Sequence, residues 1–227
     1  GQGWAYSDTG YILVGLVIEK ATGQTYYDQV RTRFLAPLGL TLTAPSNVRE
    51  IPDLAAGYTT RANTFGFPTK TTTAPGVLAW HPGVECTGGG LVSTSSDLAR
   101  WGHALFEGRA LAGPYLADLL RAVPMSPDVP AAHYGAGVAV QQAGPHGPVY
   151  GHGGWIPGYS SSLRYYPVHR VSVAFQLNTD VNVFGDESAV VRQMESRLAD
   201  AAVAAARTPS RQRVEATQWT PAGPTGH

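Results

Sequence analysis

Cysteine, lysine and charge of either sign are scarce in this chain. One cysteine, Cys86, stands among 227 residues, so no disulfide can form within the chain and cysteine usage says nothing of the compartment. The bland role of such a lone thiol is that of a small buried apolar side chain. There are two lysines, Lys20 and Lys70. Charged residues make up 14% of the sequence, well under the usual quarter, and acids and bases balance at 16 each. That balance offers nothing to attract nucleic acid or an anionic membrane surface. No apolar run approaches the ~20 residues needed to cross a bilayer, so no membrane span is expected. The histidines never fall at His-x-His or His-x-x-x-His spacing, and with one cysteine no metal site or cofactor is expected.

What the chain does have is apolar residues, at 43%, enough for one sizeable core. Its 27 glycines and 17 prolines predict many tight turns. Residues 8 to 22 carry Tyr11, Ile12, Leu16 and Glu19 at the helical step. Leu13, Val14, Val17 and Ile18 widen the apolar face, and Gly23 suits a left-handed stop. Thr25 and Asp28 make a capping pattern before a second helix that runs to about Leu35 and is stopped by Pro37 and Gly39. Residues 44 to 90 are rich in Pro, Thr and Gly; they predict extended loop with one hairpin and weak strand signals at 55 to 60. Thr94 and Asp97 cap a helix whose face is Leu98, Trp101, Gly102 and Leu105, and a short helix follows at 114 to 122.

After Pro130 the texture changes to short, alternating, β-branched segments separated by Gly or Pro, which predicts a meander of antiparallel strands. Residues 187 to 206 read as an Ala-rich helix with Val190, Val191, Met194 and Leu198 on one side. From 207 to 227 the composition predicts a disordered tail, leaving residues 1 to 206 as the folded portion. Helices first and strands last imply an α+β architecture in which a helix closes over a sheet.

Several catalytic patterns are absent. "GYSSS" at 158 to 162 lacks the second glycine of a nucleophile elbow, and "TGGGLVST" lacks the Gly-Lys-Ser/Thr end of a phosphate loop. Two stretches remain. Tyr6-Ser7-Asp8 puts a phenol and a carboxylate at a helix start, and "YGHGGWIPGYSS" at 150 to 161 puts an imidazole, His152, beside two glycines on a strand. Alone, Tyr6 reads as a half-buried aromatic and His152 as a hydrogen-bonded surface histidine.

Together, in order, and with "GGLVSTSSDLARW" between them, these stretches resemble the penicillin-recognising serine hydrolases. The resemblance is to the class C β-lactamase and D-alanyl-D-alanine carboxypeptidase group and its esterase relatives, and it covers most of residues 1 to 200. That family carries Ser-x-x-Lys, then Tyr-x-Asn, then Lys/His-x-Gly. Tyr6-Ser7-Asp8 matches the second motif and His152-Gly153-Gly154 the third. The resemblance implies a β-lactamase/transpeptidase-like fold, an antiparallel sheet packed by helices plus a helical subdomain. It also implies an acyl-enzyme mechanism, in which a Lys and the Tyr6 phenol take the serine's proton. It places the backbone N–H of Trp155 in the oxyanion hole and gives Gly153 and Gly154 the role of admitting substrate to the strand edge. Protonated His152 would bind a substrate carboxylate or help the phenol pass its proton.

The chain departs from that pattern twice. Asp8 stands where the family has Asn; an ionised Asp accepts only, so it would still position a Lys but would recognise an acylamino side chain poorly. No serine lies three residues before Lys20 or Lys70, and Arg164 of "SSLR" stays protonated and cannot be a base. The simplest reading is that the family's N-terminal part, with its nucleophile and strands that pair with the meander, is not in this chain. The chain alone is then expected to be inactive and, with an unpaired sheet edge, prone to aggregate. The leading expectation is a serine hydrolase of D-alanyl peptides, β-lactams or short esters, partnered by its own missing segment. The alternatives are a non-catalytic relative that binds peptide or cell-wall ligands in the same cleft, and an unrelated α+β domain. Family members are often secreted or periplasmic.

Overall fold

Side-chain caps start the principal helices where hydroxyl residues precede apolar periodicity. The computed structural model describes residues 4–60, 66–111, 113–126, 131–183 and 189–208; of the tail expected at 207–227, Arg207 instead ends the last helix and residues 209–227 lie outside those described. Ser7 accepts from the Gly10 N–H and opens helix α1, Asp8–Thr22, which closes on left-handed Gly23 (φ 67°). Thr25 caps α2, Tyr26–Val30, in the same way. This helix does not stop at Leu35. It widens into a π turn at Arg31–Leu35 and continues as α3, Ala36–Leu38, before left-handed Gly39. The wider turn accommodates Pro37, which has no N–H to donate.

Two small sheets follow. Strand β1, Ala44–Pro45, pairs with β4, Leu91–Val92. The hairpin expected between 44 and 90 is β2, Thr72–Ala74, with β3, Val77–Leu78. The strand signal at 55 to 60 yields no ladder: Tyr58 makes single bridges to Lys70 and Thr179, so the segment threads between two partners. The short helix α4, Cys86–Gly89, precedes β4; Cys86 is half-buried rather than buried. Thr94 caps α5, Ser95–Phe106, and α6 covers Pro114–Leu120.

The meander is one six-stranded antiparallel sheet. Its strands are β5 (Val123–Pro124), β6 (Ala132–Tyr134), β7 (Ala139–Gln141), β8 (Val149–Ile156), β9 (Tyr159–Tyr166) and β10 (Val171–Leu177), lying side by side in chain order. Helix α5 lies on one face. Gly102 is obligatory there, because a Cβ would come within 2.6 Å of Leu163 and 2.8 Å of the Ser172 Oγ. Helix α7, Ala189–Arg207, covers the other face, where Val191 packs with Phe175, Val183, Leu177 and Met194. Its buried stripe continues through Ala199 and Val203, while Val190 and Leu198 are exposed, so the expected face is rotated from its sequence assignment.

One apolar surface has no cover, and one sheet edge no partner, among the described residues. On α1, Leu13, Leu16 and Val17 are 59%, 58% and 65% exposed, and Gly15, the buried residue of that helix, packs against Thr87. On its outer side β10 has no strand partner among the described residues.

One ion network pins the β9–β10 turn to α5. Glu107 accepts from the Tyr165 hydroxyl and from the Nε and Nη2 N–H groups along one edge of the Arg170 guanidinium. The Arg170 and Tyr165 hydrogen bonds pull its carboxyl down to about 2. A lowered folded-state pKa means stability that is complete above the ordinary carboxylate value and is lost as pH falls toward about 2. We expect urea midpoints followed by circular dichroism to fall across that window, and Glu107→Gln to flatten the fall. An unchanged acid limb in the variant would refute this.

Candidate active site

The start of α1 and the middle of β8 meet. Ser7 is occupied as the N-cap, and beside it the Tyr6 hydroxyl donates to Asp8 Oδ1 at 3.0 Å. Helix α4 supports this corner. The Thr87 hydroxyl donates to the Tyr11 carbonyl at 2.6 Å, and a Cβ on Gly88 would touch Asp8 at 3.3 Å. Glu85 lies close by: its own burial and then the Asp8 charge push its carboxyl up. Two carboxyl groups beside an exposed phenol make a local field that favours a cation such as an ammonium.

On β8, His152 stands with its ring centroid 6.1 Å from that of Tyr6. Its Nδ1 faces the Gly153 carbonyl, which can only accept, so Nδ1 carries the proton of the neutral ring. Nε2 then accepts from the Tyr134 hydroxyl at 2.7 Å. Tyr134 is 8% exposed, and its ring packs on those of Trp4, at 5.2 Å, and Tyr6, at 6.1 Å. A cavity of ≈ 230 Å³ opens here, lined by Trp4, Tyr6, Ser7, Tyr11, Tyr134 and Gly135.

The strand edge beside His152 is open. β7 pairs with β8 only from Val149 to Gly151, while β9 pairs with it through Ile156. Gly153 and Gly154 therefore lie where β8 has no strand partner on one side among the described residues. Gly154 also has a packing reason to be glycine, since a Cβ would come within 2.3 Å of the Ser161 Oγ across the ladder. The Trp155 indole turns away and donates to Asp180 Oδ2 at 3.1 Å.

The structure thus brings Tyr6, Asp8 and His152 into one corner, with Gly153 and Gly154 beside them. It leaves both lysines elsewhere. Lys20 sits in the last turn of α1, twelve residues and about 18 Å of helix from Asp8. Lys70 bridges to Tyr58. Tyr134, Glu85 and Asp180 escaped the sequence reading. Tyr134 ends the three-residue strand β6, and its meeting with His152 depends on a register across β7 that no local signal specifies. No group of three or more His, Cys, Asp or Glu among the described residues is arranged to hold a metal. None of the helices described is long and apolar enough to cross a membrane.

Known proteins share this arrangement of elements. The Beta-lactamase family model matches residues 1–195. A penicillin-binding protein of Bacillus subtilis (strain 168) is 30% identical over 186 residues, covering 79% of this chain and 40% of its own length. The crystal structure of a D-stereospecific amidohydrolase from Streptomyces sp. superposes with a TM-score of 0.69 at 31% identity, over 79% of this chain and 52% of that one. D-amino acid amidase from Ochrobactrum anthropi SV3, complexed with D-phenylalanine, gives a TM-score of 0.72 at 27% identity, over 91% and 60%. The chain spans about half the length of the relatives it matches. With the fold, the motif corner and the family match in agreement, this chain belongs to the Beta-lactamase family, with its β-lactamase/transpeptidase-like fold.

Proposed function

We propose that this chain supplies the phenol, carboxylate and imidazole of a serine hydrolase site that works through an acyl-enzyme, with the nucleophile and its lysine provided by a preceding segment of the same protein. The observation that carries this reading is the pairing of Tyr6 with His152, 6.1 Å between ring centroids, beside the open edge of β8. A serine hydroxyl entering this corner would find a phenol to take its proton. The lysine ammonium would enter the field of Asp8 and Glu85, and its charge would lower the phenol's affinity for its proton. The β8 edge at Gly153 and Gly154, which has no strand partner on one side among the described residues, would bind the substrate as an added strand, with the Trp155 amide serving the developing oxyanion. Tyr134 would hold the His152 ring in one orientation.

Relatives named as amidases of D-amino acids and as a penicillin-binding protein favour amides of D-configured residues over short esters. The test is a panel of D-phenylalanine amide, a D-Ala-D-Ala peptide, nitrocefin and a p-nitrophenyl ester. The protein is this chain preceded by the Ser-x-x-Lys segment of its own reading frame. Hydrolysis of the D-amide is expected; hydrolysis of none of the four would sink the reading.

A second reading has one specific support. Asp8 receives the Tyr6 hydroxyl, and a phenol bonded to a carboxylate keeps its proton. With no Ser-x-x-Lys in the chain, that favours a non-catalytic relative that binds peptide or cell-wall ligands. An upstream reading frame without Ser-x-x-Lys would select it.

A further inference from the structure

The β8–β9 hairpin decides which way the Trp155 amide points. Its two-residue turn, Pro157-Gly158, closes on the Ile156–Tyr159 pair, so those two residues exchange backbone hydrogen bonds. Successive strand residues turn their backbone groups to opposite sides. Counting back from Ile156, Gly154 and His152 face β9, while Trp155 and Gly153 face the side on which β7 has ended at Gly151. A substrate adding as a strand would arrive on that side. A donor there serves an oxyanion only if its direction is held. Yet the two residues before Trp155 are glycines, which have the most backbone freedom, and their ladder runs to β9 alone.

Asp180 supplies the second hold. The Trp155 indole N–H donates to its Oδ2 at 3.1 Å, and the same oxygen receives the Gly158 N–H at 3.0 Å and the Thr59 hydroxyl at 3.1 Å. One oxygen thus grips both ends of the segment 155–158. The carboxylate is itself fixed. Asp180 is 7% exposed, and its own N–H donates to the Tyr58 carbonyl at 3.1 Å, while the Tyr58 N–H reaches the Gly158 carbonyl at 3.3 Å. Oδ1 is buried and receives no hydrogen bond among the described residues, so the grip lies on Oδ2. A buried carboxylate is a costly way to fill space. Three donors converging on one of its oxygens make a directional joint, and this joint starts at the residue next to the two glycines.

We infer that Asp180 is a positioning residue, which aims the Trp155 backbone N–H at the oxyanion by tying the Trp155 indole to the Gly158 amide. The use of that amide rests on the acyl-enzyme mechanism proposed above, whereas the joint is built from this chain's own bonds.

Two readouts test it. On the chain as it stands, nitrogen-15 relaxation should give order parameters of about 0.85 at Gly154 and Trp155, falling below about 0.6 in Asp180→Ala. Asp180→Asn should restore them, because it keeps one accepting oxygen and puts its NH₂ where Oδ1 receives nothing. On the protein that carries the Ser-x-x-Lys segment, Asp180→Ala should lower kcat for D-phenylalanine amide about 10–100-fold at a temperature where the variant is folded, with KM little changed. Asp180→Asn should recover most of it, and Trp155→Phe, which loses only the indole N–H from the joint, should cost about tenfold. The affinity for phenylboronic acid, which forms a tetrahedral oxyanion on the serine, should fall in step with kcat. A residue that only stabilises the fold would leave kcat per active site unchanged. Order parameters unmoved in Asp180→Ala, or kcat per active site within about twofold of the parent, would overturn the positioning role. An inactive parent would sink the acyl-enzyme mechanism, and with it the use of the amide, while leaving the joint to stand on its order parameters.

Discussion

Tyr6→Phe is expected to lower kcat by about 10²–10⁴-fold, the usual worth of one general base, with KM little changed. The reference is the protein that carries this chain together with a Ser-x-x-Lys segment. The substitution removes one oxygen and keeps the ring that packs against His152 and Tyr134. Tyr6 is 52% exposed, and its hydroxyl donates to Asp8 two residues away, so the fold loses little. Stability should change by no more than about 0.5 kcal/mol, as for most exposed positions. A large loss of rate at unchanged stability separates a proton carrier from a packing residue. Full activity in the variant would remove Tyr6 from the mechanism and assign the serine's proton to another group.

The largest expected loss of stability is at Asp180. Its carboxylate is 7% exposed, and Oδ2 alone receives the Thr59 hydroxyl at 3.1 Å, the Trp155 indole N–H at 3.1 Å and the Gly158 N–H at 3.0 Å. Asp180 thus ties the 58–60 segment to the turn that joins β8 and β9, next to the strand that carries Gly153 and Gly154. Asp180→Ala strands three donors and opens a small cavity, at a cost of about 3–5 kcal/mol. Asp180→Asn keeps the shape and one accepting oxygen, so it should cost about 1–2 kcal/mol. Equilibrium urea unfolding of both variants is the measurement. An alanine variant within about 0.5 kcal/mol of the parent would show that water replaces the carboxylate and that the hub does not hold the turn.

What the sequence disclosed and what it hid divide along contact range. Ser7, Thr25 and Thr94 each accept a hydrogen bond from an amide three residues on, so the helix starts were legible from local chemistry. The meander was legible because alternation and Gly or Pro turns are local too. Periodicity identified the apolar face of α1 but could not say that Leu13, Leu16 and Val17 lie open, because cover is a tertiary fact. The same limit turned the assigned face of α7: Leu198 follows the helical step yet is exposed, and Ala199 beside it is buried.

In the candidate site, Tyr6, Asp8 and His152 were singled out through motif resemblance, not through any spacing rule, since 144 to 146 residues separate the two halves. Tyr134 and Asp180 act through bonds that span 18 and up to 121 residues, and neither belongs to a motif. The strand signal at 55 to 60 gave no strand for a related reason: Tyr58 spends its backbone bonds on Gly158, Asn178 and Asp180 instead of a neighbouring strand.

We propose above that this polypeptide holds the proton-handling half of an acyl-transfer site whose attacking oxygen comes from another segment. Intact-mass spectrometry after exposure to a fluorescent penicillin reads that directly. The chain of 227 residues alone should keep its mass, and the same chain joined to the Ser-x-x-Lys segment proposed to precede it should gain one adduct, on that serine. A covalent adduct on any residue between Tyr6 and Thr208 of the chain alone would contradict the account.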